Sequence, residues 1–240
     1  MKNLFLFLFL LVVFTSKAQD NRVSGLNSRQ FTKYWKVESE SPDYKVTFQG
    51  DTAEIVSPKG LTLWRKEKMS GKVTIEYDAC VVVESDGDRL SDLNCFWMAS
   101  DPQYPDNLWK REKWRSGIFL NCYSLQLYYL GYGGNHNSTT RFRRYDGDES
   151  GITNPKARPA ILKEYTDAGH LLKPNHWYHI KITNENNRVS YYIDGERLVD
   201  FRDAEPLREG WFGFRTTLSR TRITNFSYEC SSQEATAVPL

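Results

Sequence analysis

Short runs in which apolar and polar residues alternate, each ended by turn residues, predict an all-β protein built as a two-sheet antiparallel sandwich. Across residues 177–183, Tyr178, Ile180 and Ile182 fall on one face and His179 and Lys181 on the other, so one face is core and the other is wet. Residues 72–84 repeat the pattern, with Val73, Ile75, Tyr77, Ala79, Val81 and Val83 set against Lys72, Thr74, Glu76 and Asp78. Between Asn175 and Cys230 such runs follow one another through the polar connection 184–187 and the Asp194-Gly195 turn, which makes a meander. Phe212, Phe214 and Phe226 are expected to share the core with Tyr178, Ile180 and Ile182.

Taken in order, residues 1–18 read as a signal peptide. Lys2 supplies a positive start, an uninterrupted apolar run extends from Leu4 to Phe14, and Ser16-Lys17-Ala18 offers small residues for cleavage. That run falls short of the roughly 20 apolar residues a membrane span needs, so export to the periplasm or beyond without membrane insertion is expected. Residues 19–240 then form a single domain. Residues 34–38, 44–49, 53–57 and 60–64 are short strands separated by Ser41-Pro42-Asp43, Gly50-Asp51 and Pro58. Residues 93–99, 117–130 and 139–145 supply three longer strands, bringing the expectation to roughly twelve to fourteen. Residues 154–167 are the one helix candidate, and Pro159 inside the pattern limits it to at most one short helix.

The charge is nearly balanced, 32 Lys and Arg against 30 Asp and Glu, and loss of Lys2 and Lys17 with the leader leaves it neutral. Nucleic acid is therefore not an expected partner, and a monomer is expected. Alternation points Cys95 and Cys122 inward from neighbouring strands, which leaves both a Cys95–Cys122 bridge and two buried free thiols open. Cys80 and Cys230 complete the four cysteines. No metal or cofactor is called for. His176 and His179 alternate to opposite faces of a strand, and Asp86-Gly87-Asp88 is either a weak structural Ca²⁺ loop or a polar hairpin tip.

Residues 128–145, YYLGYGGNHNSTTRFRRY, hold the densest set of candidate functional groups. Gly131, Gly133 and Gly134 permit a tight bend that displays Asn135, His136 and Asn137. Beyond it Arg141, Arg143 and Tyr145 share one face while Phe142 seeks the core. Two guanidinium groups about 7 Å apart along a strand suit carboxylates or sulfates on an extended anionic chain. Alternatively they pair with carboxylates such as Glu76 or Asp78, or face water.

The order W-Y-x-I-x-I at 177–182, V-x-Y-Y-I-D-G-E-x-L at 189–198 and G-x-F-G-F-R at 210–215 resembles the C-terminal half of concanavalin A-like, laminin-G-like jelly-roll domains. Residues 128–145 together with SDLNCFWMASDP at 91–102 are also similar to an uncharacterised family of exported bacterial domains associated with carbohydrate breakdown. These resemblances imply a jelly roll acting on a polysaccharide or oligosaccharide, and three readings follow.

A polysaccharide lyase would use Arg141 or Arg143 with Asn94 to neutralise a uronate carboxylate, and His136, Tyr132 or Tyr145 to move the proton. The Gln-x-His strand of alginate-type lyases is missing. A glycoside hydrolase of the jelly-roll type would place carboxylates along one strand; Glu76-Tyr77-Asp78 gives half of that pattern, and Asp92 with Glu112 is a scattered substitute. A binding module without catalysis would stack sugar rings on Trp109, Trp114 and Tyr104 of the loop 101–116. Of the three, the lyase acting on an acidic glycan is the leading expectation.

Overall fold

The computed structural model describes residues 22–231, so the expected leader lies outside the described residues. Their strands are β1 (Val23–Ser24), β2 (Trp35–Ser39), β3 (Lys45–Gln49), β4 (Thr52–Arg65), β5 (Met69–Ser70), β6 (Lys72–Val81) and β7 (Leu93–Ser100). There follow β8 (Gln126–Gly133), β9 (Thr139–Asp146), β10 (Lys163–Tyr165), β11 (Tyr178–Glu185), β12 (Arg188–Ile193), β13 (Glu196–Arg202) and β14 (Glu209–Ser231). Helical backbone is confined to short turns, and none of the described helices is long and apolar enough to cross a membrane.

Two long strands organise the fold. β4 pairs along nearly all of its length with the middle of β14, first Trp64–Gly60 against Gly213–Thr217 and then Ser57–Ala53 against Ser219–Ile223. Between these ladders the register slips: Leu218 swings outward with φ 50°, and Pro58 lies opposite, where its missing N–H interrupts no ladder bond. On one side of this corner β14 pairs with β7, giving a front sheet β10-β9-β8-β7-β14-β4-β2. On the other side it pairs with β6, giving a back sheet β13-β12-β11-β6-β14-β4-β3. The pairings are antiparallel throughout, and the result is the expected two-sheet jelly-roll sandwich.

Residues 53–57 and 60–64, expected as separate strands, are thus one strand that turns a corner. The sheets face each other across one core that holds Tyr178, Ile180, Ile182, Phe212, Phe214 and Phe226 as expected. Across it, Tyr77 meets Phe214 with ring centres 4.8 Å apart, and Phe142 meets Phe201 at 5.5 Å.

The expected strand 117–130 is corrected in its first half. Ser116 and Gly117 take left-handed backbone, residues Leu120–Ser124 form a 3₁₀ turn, and only from Gln126 does the chain enter β8. The reason is a second place to bury apolar side chains. Leu108, Cys122, Tyr123 and Leu125 cover Trp64, Phe96, Leu127 and Trp211 on the outer face of the front sheet, forming a smaller core there. Cys95 belongs to the main core and Cys122 to this outer one, on opposite faces of the sheet, so they cannot be bridged; all four cysteines are free. Burial pushes the Cys95 and Cys122 thiols up to about 12, which keeps them protonated. The helix candidate at 154–167 yields only the 3₁₀ turn Pro155–Ala157, because Pro159 and β10 claim the rest of that segment for extended backbone.

Candidate functional site

The outer face of the front sheet is half covered and half open, and the open half is a groove of about 360 Å³. Its floor follows from cross-strand register. Gly131 of β8 lies between Arg141 of β9 and Asn94 of β7, and Asn94 faces Arg215 of β14 on its other side. In the next row Tyr129 separates Arg143 from Phe96. Alternation along each strand sends these side chains outward and sends Tyr128, Leu130, Phe142 and Phe214 into the core. Gly131 is required here: a Cβ would stand 2.3 Å from the Tyr129 hydroxyl oxygen, so its absence lets that side chain lie over the groove floor.

Residues 101–125 wall the groove on one side. Arg115, fully buried, donates from Nη2 to Glu38 at 3.0 Å and to the Leu108 carbonyl at 2.6 Å, and Arg111 clamps Asp101 with bonds of 2.6 and 2.8 Å. Gly117, with φ 71°, passes so close to β2 and β4 that a Cβ would meet the Ser39 Cα at 2.7 Å. From this anchored segment Phe119 and Tyr123 reach the groove, packing on Tyr129 and Tyr145 with centroid distances of 5.6 and 5.2 Å.

The opposite rim is the bend after Gly133, where Asn135, His136 and Asn137 all adopt left-handed backbone. That conformation disfavours side chains, and compensating bonds hold it. Asn137 donates from Nδ2 to the Leu172 carbonyl at 2.9 Å and accepts from the Leu172 amide at 2.8 Å, while Ser91 donates to the Gly133 carbonyl at 2.8 Å.

Four arginines and two carboxylates line the groove. Arg89 pairs with Asp92 at 2.5 Å and also donates to the Thr217 carbonyl. Arg215, buried, donates to the Gly117 carbonyl and approaches Glu40 at 4.0 Å, and Arg141 pairs with Glu164 at 2.5 Å. Arg143 is different: it donates to the Pro159 carbonyl and has no carboxylate partner among the described residues. Among the residues lining the groove three buried polar atoms have no hydrogen-bond partner, the Tyr145 hydroxyl, Asn94 Oδ1 and Arg89 Nε. Burial raises the Tyr145 hydroxyl well above the usual tyrosine range, reinforced by Tyr129 and Tyr123 and opposed by Arg143, so it is held as a neutral donor.

Of the residues singled out in the sequence, Asn94, Arg141, Arg143 and Tyr145 come together in the groove. Tyr132 does not. Its parity along β8 is that of Leu130, so its ring lies in the main core edge-on to Tyr178 at 5.1 Å, and its hydroxyl donates to the Leu171 carbonyl at 3.3 Å. His136 is exposed on the rim bend and is not part of the lining. Trp109 and Trp114 also lie outside the groove. Trp109 packs edge-on against Trp211 at 6.1 Å in the covering layer, and Trp114 is exposed with Arg111 stacked over it at 5.0 Å.

The hydrolase candidates are scattered too. Glu76 and Asp78 sit on the back sheet, paired with Lys181 at 3.3 Å and His179 at 2.7 Å; Glu112 pairs with Lys36, and Asp92 alone reaches the groove. Asp88 accepts from the amides of Glu84 and Ser85, which closes a polar hairpin tip, and no cluster of three or more potential metal ligands occurs among the described residues.

Arg215 and Tyr129 were missed, although both had a signal. Arg215 shares parity with Gly213, opposite the core residues Phe212 and Phe214, and Tyr129 shares parity with Gly131. Arg89, Phe119 and Tyr123 had none, because loops carry them.

Residues 55–226 match the family described as a domain of unknown function (DUF6250). No curated protein matches the chain in sequence. Among solved structures, it is similar to a protein of unknown function with a galectin-like fold from Bacillus subtilis, with TM-score 0.68 and 15% identity over 89% of this chain and 96% of that one. A carbohydrate-binding module, CBM66 from Bacillus subtilis, gives 0.54 and 17% over 81% and 94%. The alginate lyase Aly36B gives 0.51 and 11% over 83% and 89%. At such identities the likeness is one of fold.

Proposed function

The chain belongs to the DUF6250 family, and we propose that its front-sheet groove binds an acidic carbohydrate, with Arg143 receiving a sugar carboxylate. The observation that carries this reading is the Arg143 guanidinium, half-buried beside aromatic rings and lacking a carboxylate partner among the described residues. Such a group suits a two-point clamp on a carboxylate. Asn94 and Tyr145 add polar atoms with no partner of their own, and Phe119 offers a half-buried ring for the sugar's CH face. The carbohydrate-binding and lyase structures that share the fold support a sugar ligand. An exported setting follows from the leader expected at residues 1–18.

Recognition is favoured over turnover because the groove lacks an unengaged base among the described residues. Asp92 is held by Arg89, Glu40 faces Arg215, and His136 and Tyr132 lie elsewhere. One observation favours eliminative cleavage as a second reading, namely the unpartnered Tyr145 hydroxyl near Arg143. For that, Asp92 would have to leave Arg89 and take the C5 proton of a uronate, the C5–H bond electrons would form the C4=C5 double bond, and the departing O4 would take the Tyr145 proton.

Titration calorimetry against acidic and neutral polysaccharides tests the first reading. Binding confined to acidic chains supports it, whereas binding of neutral chains only, or of none, overturns it. Unsaturated-uronate absorbance in the same mixtures decides the second.

A further inference from the structure

We infer that the groove takes the end of an acidic glycan, one or two sugar units, and not an internal stretch of chain; this rests on the acidic-carbohydrate reading above. An open jelly-roll face would offer a polymer a channel across all its strands. Here residues 101–125 close that channel. Leu108, Cys122, Tyr123 and Leu125 occupy the outer face over β4, β7 and β8, and the Arg115–Glu38 pair ties the segment to β2. The covering layer is anchored by buried charge, so moving it aside to admit a chain would strand Glu38 of β2 without Arg115.

The remaining space is bounded on three further sides. Arg143 reaches the Pro159 carbonyl and Arg141 reaches Glu164 of β10, which closes the β9 edge. The left-handed bend 134–137 is pinned to Leu172, which closes the rim above β8. Arg89, bonded to Asp92 and to the Thr217 carbonyl, closes the β14 side. A cavity of about 360 Å³ is at the small end for ligand pockets, which span roughly 300–1,000 Å³. A terminal residue can enter such a space with its carboxylate at Arg143 and its neighbour at the mouth, but a chain continuing in both directions would collide with a wall.

Calorimetry on the full chain with galacturonate, glucuronate and mannuronate, each as monomer, dimer, hexamer and polymer, tests this. The expected result is an affinity that levels off by the dimer, with hexamer and dimer within about threefold of each other and polymer binding counted per chain end. A hexamer with both terminal residues chemically blocked should bind at least about tenfold more weakly. Affinity climbing tenfold or more from dimer to hexamer, or a blocked hexamer binding as well as the free one, would overturn chain-end recognition while leaving the acidic-carbohydrate reading intact. Failure of every acidic probe, short and long, would instead defeat the underlying reading.

Discussion

Replacing Arg143 by alanine should weaken binding of an acidic disaccharide by roughly 10- to 150-fold, because a hydrogen-bonded charge pair contributes about 1.5–3 kcal/mol. The structural cost should be much smaller. Arg143 is half-buried at the surface of β9 and makes one protein hydrogen bond, to the Pro159 carbonyl, whose loss costs about 1 kcal/mol. Binding and folding therefore separate. Calorimetry gives the affinity, and thermal denaturation followed by circular dichroism gives the stability. Arg143→Lys divides the effect further, since an ammonium keeps the charge but not the two-point fork, and it should recover only part of the affinity. Lys181→Ala is the control: its partner Glu76 is on the back sheet, and it should bind as the parent does. A folded Arg143→Ala protein that binds its best acidic ligand within about twofold of the parent would refute the assignment of the groove.

Gly131→Ala should displace the Tyr129 side chain from the groove floor, lowering affinity at an overpacking cost of about 1–3 kcal/mol, read by calorimetry and chemical denaturation together. Arg115→Met should destabilise by about 3–5 kcal/mol by leaving Glu38 buried and unpaired; a shift in the urea midpoint worth less than about 1 kcal/mol would show that the covering segment is not anchored as described. His170 provides a pH dependence. Partial burial lowers its pKa, but bonds to Asp167 and Glu196 outweigh this and leave it raised above 6.5. A raised folded value stabilises most below pH 6.5, and that stabilisation fades as pH climbs through the folded value. The melting-temperature advantage of the parent over His170→Gln should accordingly be largest at mildly acid pH and shrink toward pH 8, and a gap that widens with pH would contradict the pairing.

How far the sequence could be read differs from element to element, for a physical reason. The alternation in β6 and β11 is local, each side chain's face being set by its neighbours two positions away, and both strands lie where that pattern put them, except that β6 ends at Val81 and not at 84. The same parity placed Arg141, Arg143 and Tyr145 on one face of β9. Tyr132 was misread because its proximity to glycines along the chain says nothing about which side of the sheet it occupies; its parity with Leu130 decides that.

Residues 117–125 were beyond local reading. Ile118, Leu120 and Cys122 alternate as a strand would, yet whether they pair with a neighbour or fold over a sheet depends on an uncovered apolar face formed by Trp64, Phe96 and Trp211 far away in sequence. The corner in β4 and β14 is equally non-local, since Pro58 and Leu218 are compatible with continuous strands only when they oppose one another. The sequence by itself therefore determined an antiparallel sandwich, its core residues and the basic face of β9. The tertiary structure alone decided that half of that face is sealed, that Arg89 and Arg215 join the groove while His136 and Tyr132 do not, and that Arg143 is left without a carboxylate partner among the described residues. Register and cover are properties of strands meeting across the chain, and no local pattern encodes them.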